Sequence, residues 1–198
     1  QRQMCIRDSV NAGLTSTFNW LFGAVFGFMY APLVITGLHH MSNAIDLQLI
    51  ADFQSTNLWP MIALSNIAQG SAVLAVIFMH RGNKKEEQVS IPAMISCYLG
   101  VTEPAMFGIN LKYVYPFVAG MIGSAMAGMF ATLMGVRATS IGVGGLPGIL
   151  SIVPQYYLPF LVAMVIAIIV PMGLTYIFRK KGIFNKVDPV DEATGMLY

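Results

Sequence analysis

The chain has 198 residues, of which 56% are hydrophobic and 10% charged, and its formal net charge at pH 7 is +2. Soluble domains carry about 25% charged residues, so this composition excludes a water-soluble globular domain. It predicts an integral membrane protein with roughly five or six membrane-deep segments. The small net charge gives no support for a nucleic-acid partner, and none is expected. The two cysteines, Cys5 and Cys97, form no CxxC pair, so we expect no disulfide framework, no metal site and no cofactor.

The first nine residues, QRQMCIRDS, are polar and differ from everything that follows them. They lack the positively charged start and apolar core of a signal peptide, and they resemble the translation of a sequencing adaptor. We therefore expect residues 1–9 to be non-native and to pack against nothing specific. On this interpretation the native part begins near Val10 and an upstream coding region is missing. A genuine polar start on the cytoplasmic side is the alternative.

Hydropathy predicts two membrane spans in the first half of the chain, at Phe18–Leu38 and Trp59–Met79. Between them, residues 39–58 mix apolar and acidic side chains, a pattern typical of an amphipathic or cavity-lining segment. The charge cluster HRGNKKEE at residues 80–87 follows the second span. The positive-inside rule places this cluster in the cytoplasm.

The second half of the chain ends in another basic cluster, RKKGIFNK at residues 179–186, which the same rule places in the cytoplasm together with the C-terminus. The chain must therefore cross the membrane an even number of times between the two clusters. Two crossings are predicted, at Tyr113–Val136 and Leu158–Phe178. Residues 91–110, interrupted by glycine and proline, are then predicted to form a re-entrant hairpin, since non-helical backbone at that depth needs protein or a wet cavity around it. Residues 141–157 are predicted to form a second irregular loop that lines or covers the same cavity.

One acid, Glu103, lies inside the predicted hairpin, in the stretch CYLGVTEPAMFGIN. A charged residue in hydrocarbon costs about 2.5 to 3.5 kcal/mol, so an acid there is usually functional. Pro104 removes a backbone donor and discourages regular helix, which leaves polar backbone of the kind that suits a sugar beside the carboxylate. We expect Glu103 to face a polar cavity rather than lipid or a helix interior. A carboxylate that only caps or pins the hairpin is the alternative.

The pair His39 and His40 directly follows the first predicted span. Adjacent residues on a helix point in different directions, so one ring is expected to face a cavity and the other to point away. An imidazole donates and accepts hydrogen bonds and can carry a proton near neutral pH, which suits a hydroxylated ligand. From the spacing alone, surface decoration and a binding role both stay open.

Three strings together resemble a known family: APLVITGLHHM at residues 31–41, GVTEPAMFGINLKY at 100–113 and SIGVGGLPGILSI at 140–152. They are similar to enzyme IIC, the membrane-embedded sugar-translocating component of the bacterial phosphoenolpyruvate-dependent phosphotransferase system (PTS), in its glucose superfamily. The trehalose-specific branch is the most similar, followed by sucrose and β-glucoside transporters. We therefore expect residues 10–180 to be the C-terminal part of such a domain, and 181–198 a cytoplasmic tail.

The resemblance implies an all-α polytopic fold with re-entrant hairpins in the bacterial cytoplasmic membrane, and an elevator-type movement of one domain against a dimeric scaffold. The implied partners are the lipid bilayer, a disaccharide substrate, a phosphorylated enzyme IIB domain that is missing from this chain, and upstream phosphocarriers. The full-length protein would be a homodimer. Its implied activity is uptake of trehalose coupled to phosphorylation, which yields trehalose 6-phosphate.

The resemblance also implies roles for individual residues. Glu103 corresponds to a glutamate that hydrogen-bonds the sugar and takes the proton from the attacking hydroxyl, which makes it the catalytic candidate. His39 corresponds to a sugar-contacting histidine, so we expect it to face the same polar cavity as Glu103. Together with Glu103 it is a candidate for substrate binding, and His40 and Thr102 are further candidates.

Two departures from the family pattern limit the resemblance. Position 31 is Ala31, where some glucose- and maltose-type relatives have an arginine, and Cys97 does not lie in the Cys-x-Thr-Arg loop of a IIB domain. We expect Cys97 to be a packing thiol and the chain to phosphorylate nothing alone.

A proton-coupled secondary transporter, in which Glu103 and a histidine relay protons, explains the buried acid equally well but not the three strings. A purely structural membrane fragment explains neither polar site.

Overall fold

The computed structural model describes residues 19–81, 84–142 and 144–184. These residues form helices and loops, and their β-type pairing is limited to two isolated bridges. The longer helices are α1 (Asn19–Ile35), α2 (His39–Phe53), α3 (Leu58–Met79), α4 (Lys84–Tyr98), α5 (Tyr115–Leu133) and α6 (Tyr157–Lys181). The expectations for residues 1–9, and for the predicted tail beyond residue 184, lie outside the described residues.

Three of the predicted spans are confirmed as helices that are long and apolar enough to cross a membrane. They are α3, α5 and the stretch Pro154–Lys181, which contains α6. The first predicted span forms α1, whose described part has 17 residues and is shorter than these three. The segment predicted to be amphipathic forms α2, which ends where Gln54 adopts a left-handed conformation.

Helix α3 lies at the centre of the described fold. Nearly all its residues are buried, as expected for a helix that is apolar on every side. Helices α1, α5 and α6 pack around it and share one hydrophobic core, which includes Trp59 and Ile67 of α3 and Phe160 of α6. Helix α6 instead exposes a face of large apolar side chains, which suits contact with lipid.

Small residues allow α1 and α5 to approach closely. Ser124 and Gly128 lie four residues apart on α5 and face α1, a spacing that lets helix backbones meet. The Ser124 hydroxyl donates to the Gly27 carbonyl at 2.8 Å. A Cβ atom added to Gly27 would lie 2.6 Å from the Ser124 carbonyl oxygen, so the space between the two helices has no room for a methyl group.

A helical hairpin lies between α3 and α5, as predicted for residues 91–110, although it begins earlier and ends later. Its first arm is α4, and its return arm, residues 103–113, contains a π-helix, Met106–Asn110. The Tyr113 hydroxyl, at the end of the return arm, donates to Glu86 near the start of α4. The hairpin therefore returns to the end of the fold from which it starts.

The segment between α5 and α6 is irregular, as predicted for residues 141–157. Its described residues form two short 3₁₀ helices, Leu146–Ser151 and Pro154–Tyr156, and an extended stretch before them. Glycine and proline occur throughout this segment and explain its lack of regular helix.

We predict that Gly27→Ala destabilises the fold, because the new methyl group would overlap the Ser124 carbonyl and force α1 away from α5. Overpacking of this kind costs about 1 to 3 kcal/mol, and thermal unfolding in detergent measures it. Gly173→Ala is the matched control, because a Cβ at Gly173 in α6 meets nothing within 4 Å. The control should be neutral or stabilising by up to about 1 kcal/mol. Equal effects of the two substitutions would contradict tight packing between α1 and α5.

Candidate functional site

The structure brings the side chains of His39 and Glu103 together. His39 Nε2 lies 3.6 Å from Glu103 Oε1, and the side chains are 13% and 44% exposed. This distance is longer than a hydrogen bond but falls within the range of an ion pair. The imidazole is therefore mostly enclosed, while the carboxylate keeps an open side from which a ligand can approach.

The two histidines occupy the first turn of α2. A turn with a positive φ of 75° at Gly37 separates α1 from α2, and the helix then begins at His39. The His40 ring lies against the His39 ring, with centroids 4.0 Å apart, and His40 is exposed. The adjacent rings thus differ in burial, and it is His39 that approaches Glu103.

The protonation of His39 depends on this environment. Burial, followed by the proximity of His40, lowers the pKa of His39, while Glu103 and the nearby backbone of Val34 act in the opposite direction. The net effect favours the neutral imidazole at neutral pH. A neutral ring has one donor and one acceptor nitrogen, so it can bind a hydroxyl group in either role.

Local sequence places Glu103 at the first turn of the return arm. Helix α4 ends at Tyr98, and the chain reverses at Gly100, whose φ of 104° favours glycine. Thr102 is buried, and its carbonyl accepts a hydrogen bond from Met106 N–H at 2.9 Å. Glu103 then begins a three-residue helix, so the carboxylate lies just beyond the tip of the hairpin.

Two segments hold the tip of the hairpin. From α3, Asn66 Nδ2 donates to the Gly100 carbonyl at 3.3 Å. From the irregular loop, Gly144 and Gly145 meet the hairpin backbone so closely that a Cβ on Gly145 would lie 2.1 Å from the Tyr98 carbonyl oxygen. The loop predicted at residues 141–157 to line or cover the cavity therefore contacts the tip that precedes Glu103.

Buried amide side chains that were not predicted from the sequence support the site. Asn110 Nδ2 donates to Gln69 Oε1 at 2.6 Å, and both residues are fully buried. Asn66 and Gln69 are three residues apart in an apolar stretch, LWPMIALSNIAQGS, so they lie on one side of α3. Polar side chains at this spacing within a predicted span were the available signal for a contact with the hairpin.

Cys97 is a free, fully buried cysteine whose thiol contacts the Asn66 carbonyl at 3.1 Å. This environment fits the expectation of a packing thiol. Within residues 19–81, 84–142 and 144–184, His, Cys, Asp and Glu side chains form no group of three or more that could hold a metal ion.

We predict that Glu103→Gln lowers the pKa of His39, because the substitution removes a negative charge that favours the imidazolium form. Titration of isotope-labelled histidine by NMR measures the change. Asp52→Asn, at the exposed end of the same helix, is the control and should leave the His39 titration unchanged. A His39 pKa that is the same in the parent and in Glu103→Gln would show that the two side chains do not interact in solution.

Comparison with known proteins identifies the family of this chain. A sequence model of the family "Phosphotransferase system, EIIC" matches residues 4–124, so the match begins within the segment 1–9. The trehalose-specific EIIBC component of Escherichia coli (strain K12) is 54% identical over 178 residues, covering 89% of this chain and 37% of that protein. Its counterpart in Bacillus subtilis (strain 168) is 48% identical over 179 residues, covering 88% of this chain and 38% of the relative.

A sucrose-specific EIIBC component from Vibrio alginolyticus is 44% identical over 169 residues, covering 80% of this chain and 35% of that protein. The chain thus spans little more than a third of the length of these curated relatives. No solved structure matches the chain. The family match shows that the chain belongs to the EIIC family of the phosphotransferase system, a family of polytopic membrane proteins, and the apolar helices of the chain agree with this.

Proposed function

We propose that this chain is part of a permease that couples sugar uptake across the bacterial cytoplasmic membrane to phosphorylation of the sugar. The observation that carries the proposal is the pairing of His39 with Glu103 beside the hairpin tip in a member of the EIIC family. Trehalose is the proposed substrate and trehalose 6-phosphate the product, because the relatives at 54% and 48% identity are named as trehalose-specific. The sucrose-specific relative at 44% identity makes sucrose the second candidate.

The chemistry of the pair suits a sugar hydroxyl. A carboxylate offers two acceptor oxygens, and the open side of Glu103 lets a hydroxyl reach one of them while the enclosed His39 ring supplies a second contact. During phosphoryl transfer the sugar hydroxyl attacks phosphorus, the bond between phosphorus and the cysteine sulfur of the donor breaks so that the thiolate leaves, and the hydroxyl loses its proton. Glu103 is the proposed general base for this step, because such a base must lie within hydrogen-bond reach of that proton.

The other candidates for the sugar site have supporting roles in this proposal. The His40 ring lies tilted against the His39 ring and is exposed, so we place it at the side from which a sugar would enter. Thr102 is buried immediately before Glu103, and its carbonyl belongs to the loosened backbone at the hairpin tip. We assign both to substrate binding, with His39 and Glu103 as the principal contacts.

The proposed partners follow from the names of the relatives and from charge. The relatives are EIIBC components, so we propose a phosphocysteine on an enzyme IIB domain as the phosphoryl donor, supplied by upstream phosphocarriers. Arg81 follows α3, and α6 ends in Arg179, Lys180 and Lys181. The positive-inside rule supports a cytoplasmic location for both ends, where the phosphoryl donor would be found. A homodimer with an elevator-type movement completes the proposal.

Transport by membrane vesicles distinguishes this function from proton-coupled transport. Vesicles that contain the transporter are loaded with phosphoenolpyruvate and the upstream phosphocarriers, or are given only a proton gradient. The proposal expects labelled trehalose to accumulate as the phosphate only under the first condition. Accumulation of free sugar driven by the gradient alone would establish a secondary transporter instead. Sucrose in excess tests the second candidate by competition.

We predict that Glu103→Gln in the transporter weakens trehalose binding by about 1.5 to 3 kcal/mol, the contribution of a hydrogen bond to a charged group. Phosphorylation should fall further, by about 10²- to 10⁴-fold, if the carboxylate is also the general base. Calorimetric binding and a phosphorylation assay measure the two effects. Asp52→Asn, the same change of charge at an exposed position, is the control. A Glu103→Gln variant that binds and phosphorylates like the parent would reduce Glu103 to a structural role.

A further inference from the structure

Helix α2, which begins with His39, is anchored by very few side chains. Its buried residues are Ser42, Asp46 and Leu49. Asp46 follows His39 by seven residues, close to two helical turns, so the two side chains leave α2 on the same side. The orientation of His39 is therefore coupled to whatever holds Asp46.

Asp46 is a fully buried acid with a defined partner. The Thr56 hydroxyl donates to Asp46 Oδ1, and Leu58 N–H donates to Thr56 Oγ1 at 3.1 Å. Burial raises the pKa of Asp46 to about 7, while hydrogen bonds from Thr56 and from the Trp59 backbone act in the opposite direction. A buried carboxyl group is costly unless it is hydrogen-bonded, so the contact with Thr56 fixes where this part of α2 can lie.

Thr56 in turn belongs to a small extended patch of backbone. Its N–H donates to the Ala138 carbonyl and its carbonyl accepts from Ala138 N–H, each at 2.8 Å. Ala138 also pairs with Ile152, and Thr139 N–H donates to the Ser151 carbonyl at 3.0 Å. This patch joins residues 138–139 to residues 151–152 and so encloses the part of the irregular loop that contains Gly144 and Gly145.

The same loop contacts the other half of the candidate site. Gly144 and Gly145 lie within it and meet the hairpin backbone at Tyr98 and Gly100. Gly100 lies three residues before Glu103. The bond between Asp46 and Thr56 is thus the point at which the helix carrying His39 joins the backbone that contacts the hairpin carrying Glu103.

We propose that Asp46, acting through Thr56, is a positioning residue that holds α2 in the orientation in which His39 meets Glu103. This inference rests on the proposed function, because it assigns a role within the same sugar site. Asp46 makes no contact with the sugar itself. Its effect on binding passes through His39, and this sets it apart from a residue that only stabilises the fold.

A double-mutant cycle in the transporter tests this claim. Thr56→Val removes the hydroxyl at nearly constant volume and should weaken trehalose binding about tenfold, whereas Thr56→Ser keeps the hydroxyl and should bind within about twofold of the parent. In a His39→Ala background, Thr56→Val should cause no further loss. Thr175→Val is the matched control, because Thr175 is fully buried and its hydroxyl donates to Pro171 within α6. It should bind sugar like the parent.

A second measurement needs no sugar and separates the inference from the proposed function. In the parent background, Glu103→Gln is expected to change the NMR titration of His39. In Thr56→Val that change should disappear, since His39 no longer lies beside Glu103, and Thr56→Ser should restore it. Near-ultraviolet circular dichroism shows whether Thr56→Val keeps its fold. If it does not, Asp46→Asn is used instead: it keeps an acceptor for the Thr56 hydroxyl, so the effect of Glu103→Gln on the His39 titration must persist in it.

Each outcome decides one of the two claims. Additive losses of affinity in the cycle, or a coupling between His39 and Glu103 that persists in Thr56→Val, would overturn the positioning role of Asp46. Sugar binding that is unaffected by His39→Ala would overturn the proposed sugar site. The NMR coupling would then still decide whether Asp46 and Thr56 set the position of His39.

Discussion

The polar contacts between α3 and the hairpin are the constraint on which the candidate site depends. Away from water, a polar group without a partner costs free energy, so α3 and the hairpin are held in one register by their polar side chains. Asn66 bonds the hairpin tip, Gln69 bonds Asn110 in the π-helix, and His80, after α3, contacts Glu86 near the start of α4 at 3.0 Å. Sliding the hairpin along α3 would break all three contacts together, and the tip that precedes Glu103 is fixed as a result.

Backbone packing at the tip explains why glycine is concentrated in two separate strings of the sequence. Gly100 turns the chain with a positive φ, as does Gly145 in the irregular loop. Their backbones meet at a distance that leaves no room for side chains. Neither string forms regular helix at this point. Non-helical backbone in a membrane protein must be surrounded by protein or by a wet cavity, and each string provides part of that protein surface for the other. The irregular segments are therefore one structural unit, although more than 40 residues separate them.

The sequence predicted the features that follow from strong local signals. Hydropathy located α3, α5 and α6, and the two basic clusters required a hairpin that returns to its starting end. The resemblance paired His39 with Glu103. The length of the hairpin was missed because Lys84 and Glu86 were assigned to a charged loop, whereas Glu86 accepts a hydrogen bond from Tyr113 and so belongs to the folded arm.

The roles of buried polar residues in the supporting structure were harder to predict. Asp46 was grouped with the other acids of an amphipathic segment, because hydropathy records that a residue is polar and says nothing of its partner. Its burial depends on Thr56, ten residues later, and on the pairing of Thr56 with Ala138. Contacts of this kind are set by tertiary packing, and a periodic pattern within one helix does not reveal them.

Glu103 and Asp46 differ in solvent exposure, and this difference supports different roles for the two acids. Glu103 has a side chain that is 44% exposed and contacts His39, whereas Asp46 is fully buried and bonded to Thr56. An acid that binds or deprotonates a ligand must be reachable by it, so Asp46 is excluded from that role by its enclosure. The cost of burying an acid is offset only where its hydrogen-bond partners can reach it, so Asp46 is suited to fixing a helix. The environment of each carboxyl group therefore supports the role proposed for it: Glu103 as a contact for the ligand, and Asp46 as the residue that orients the histidine beside it.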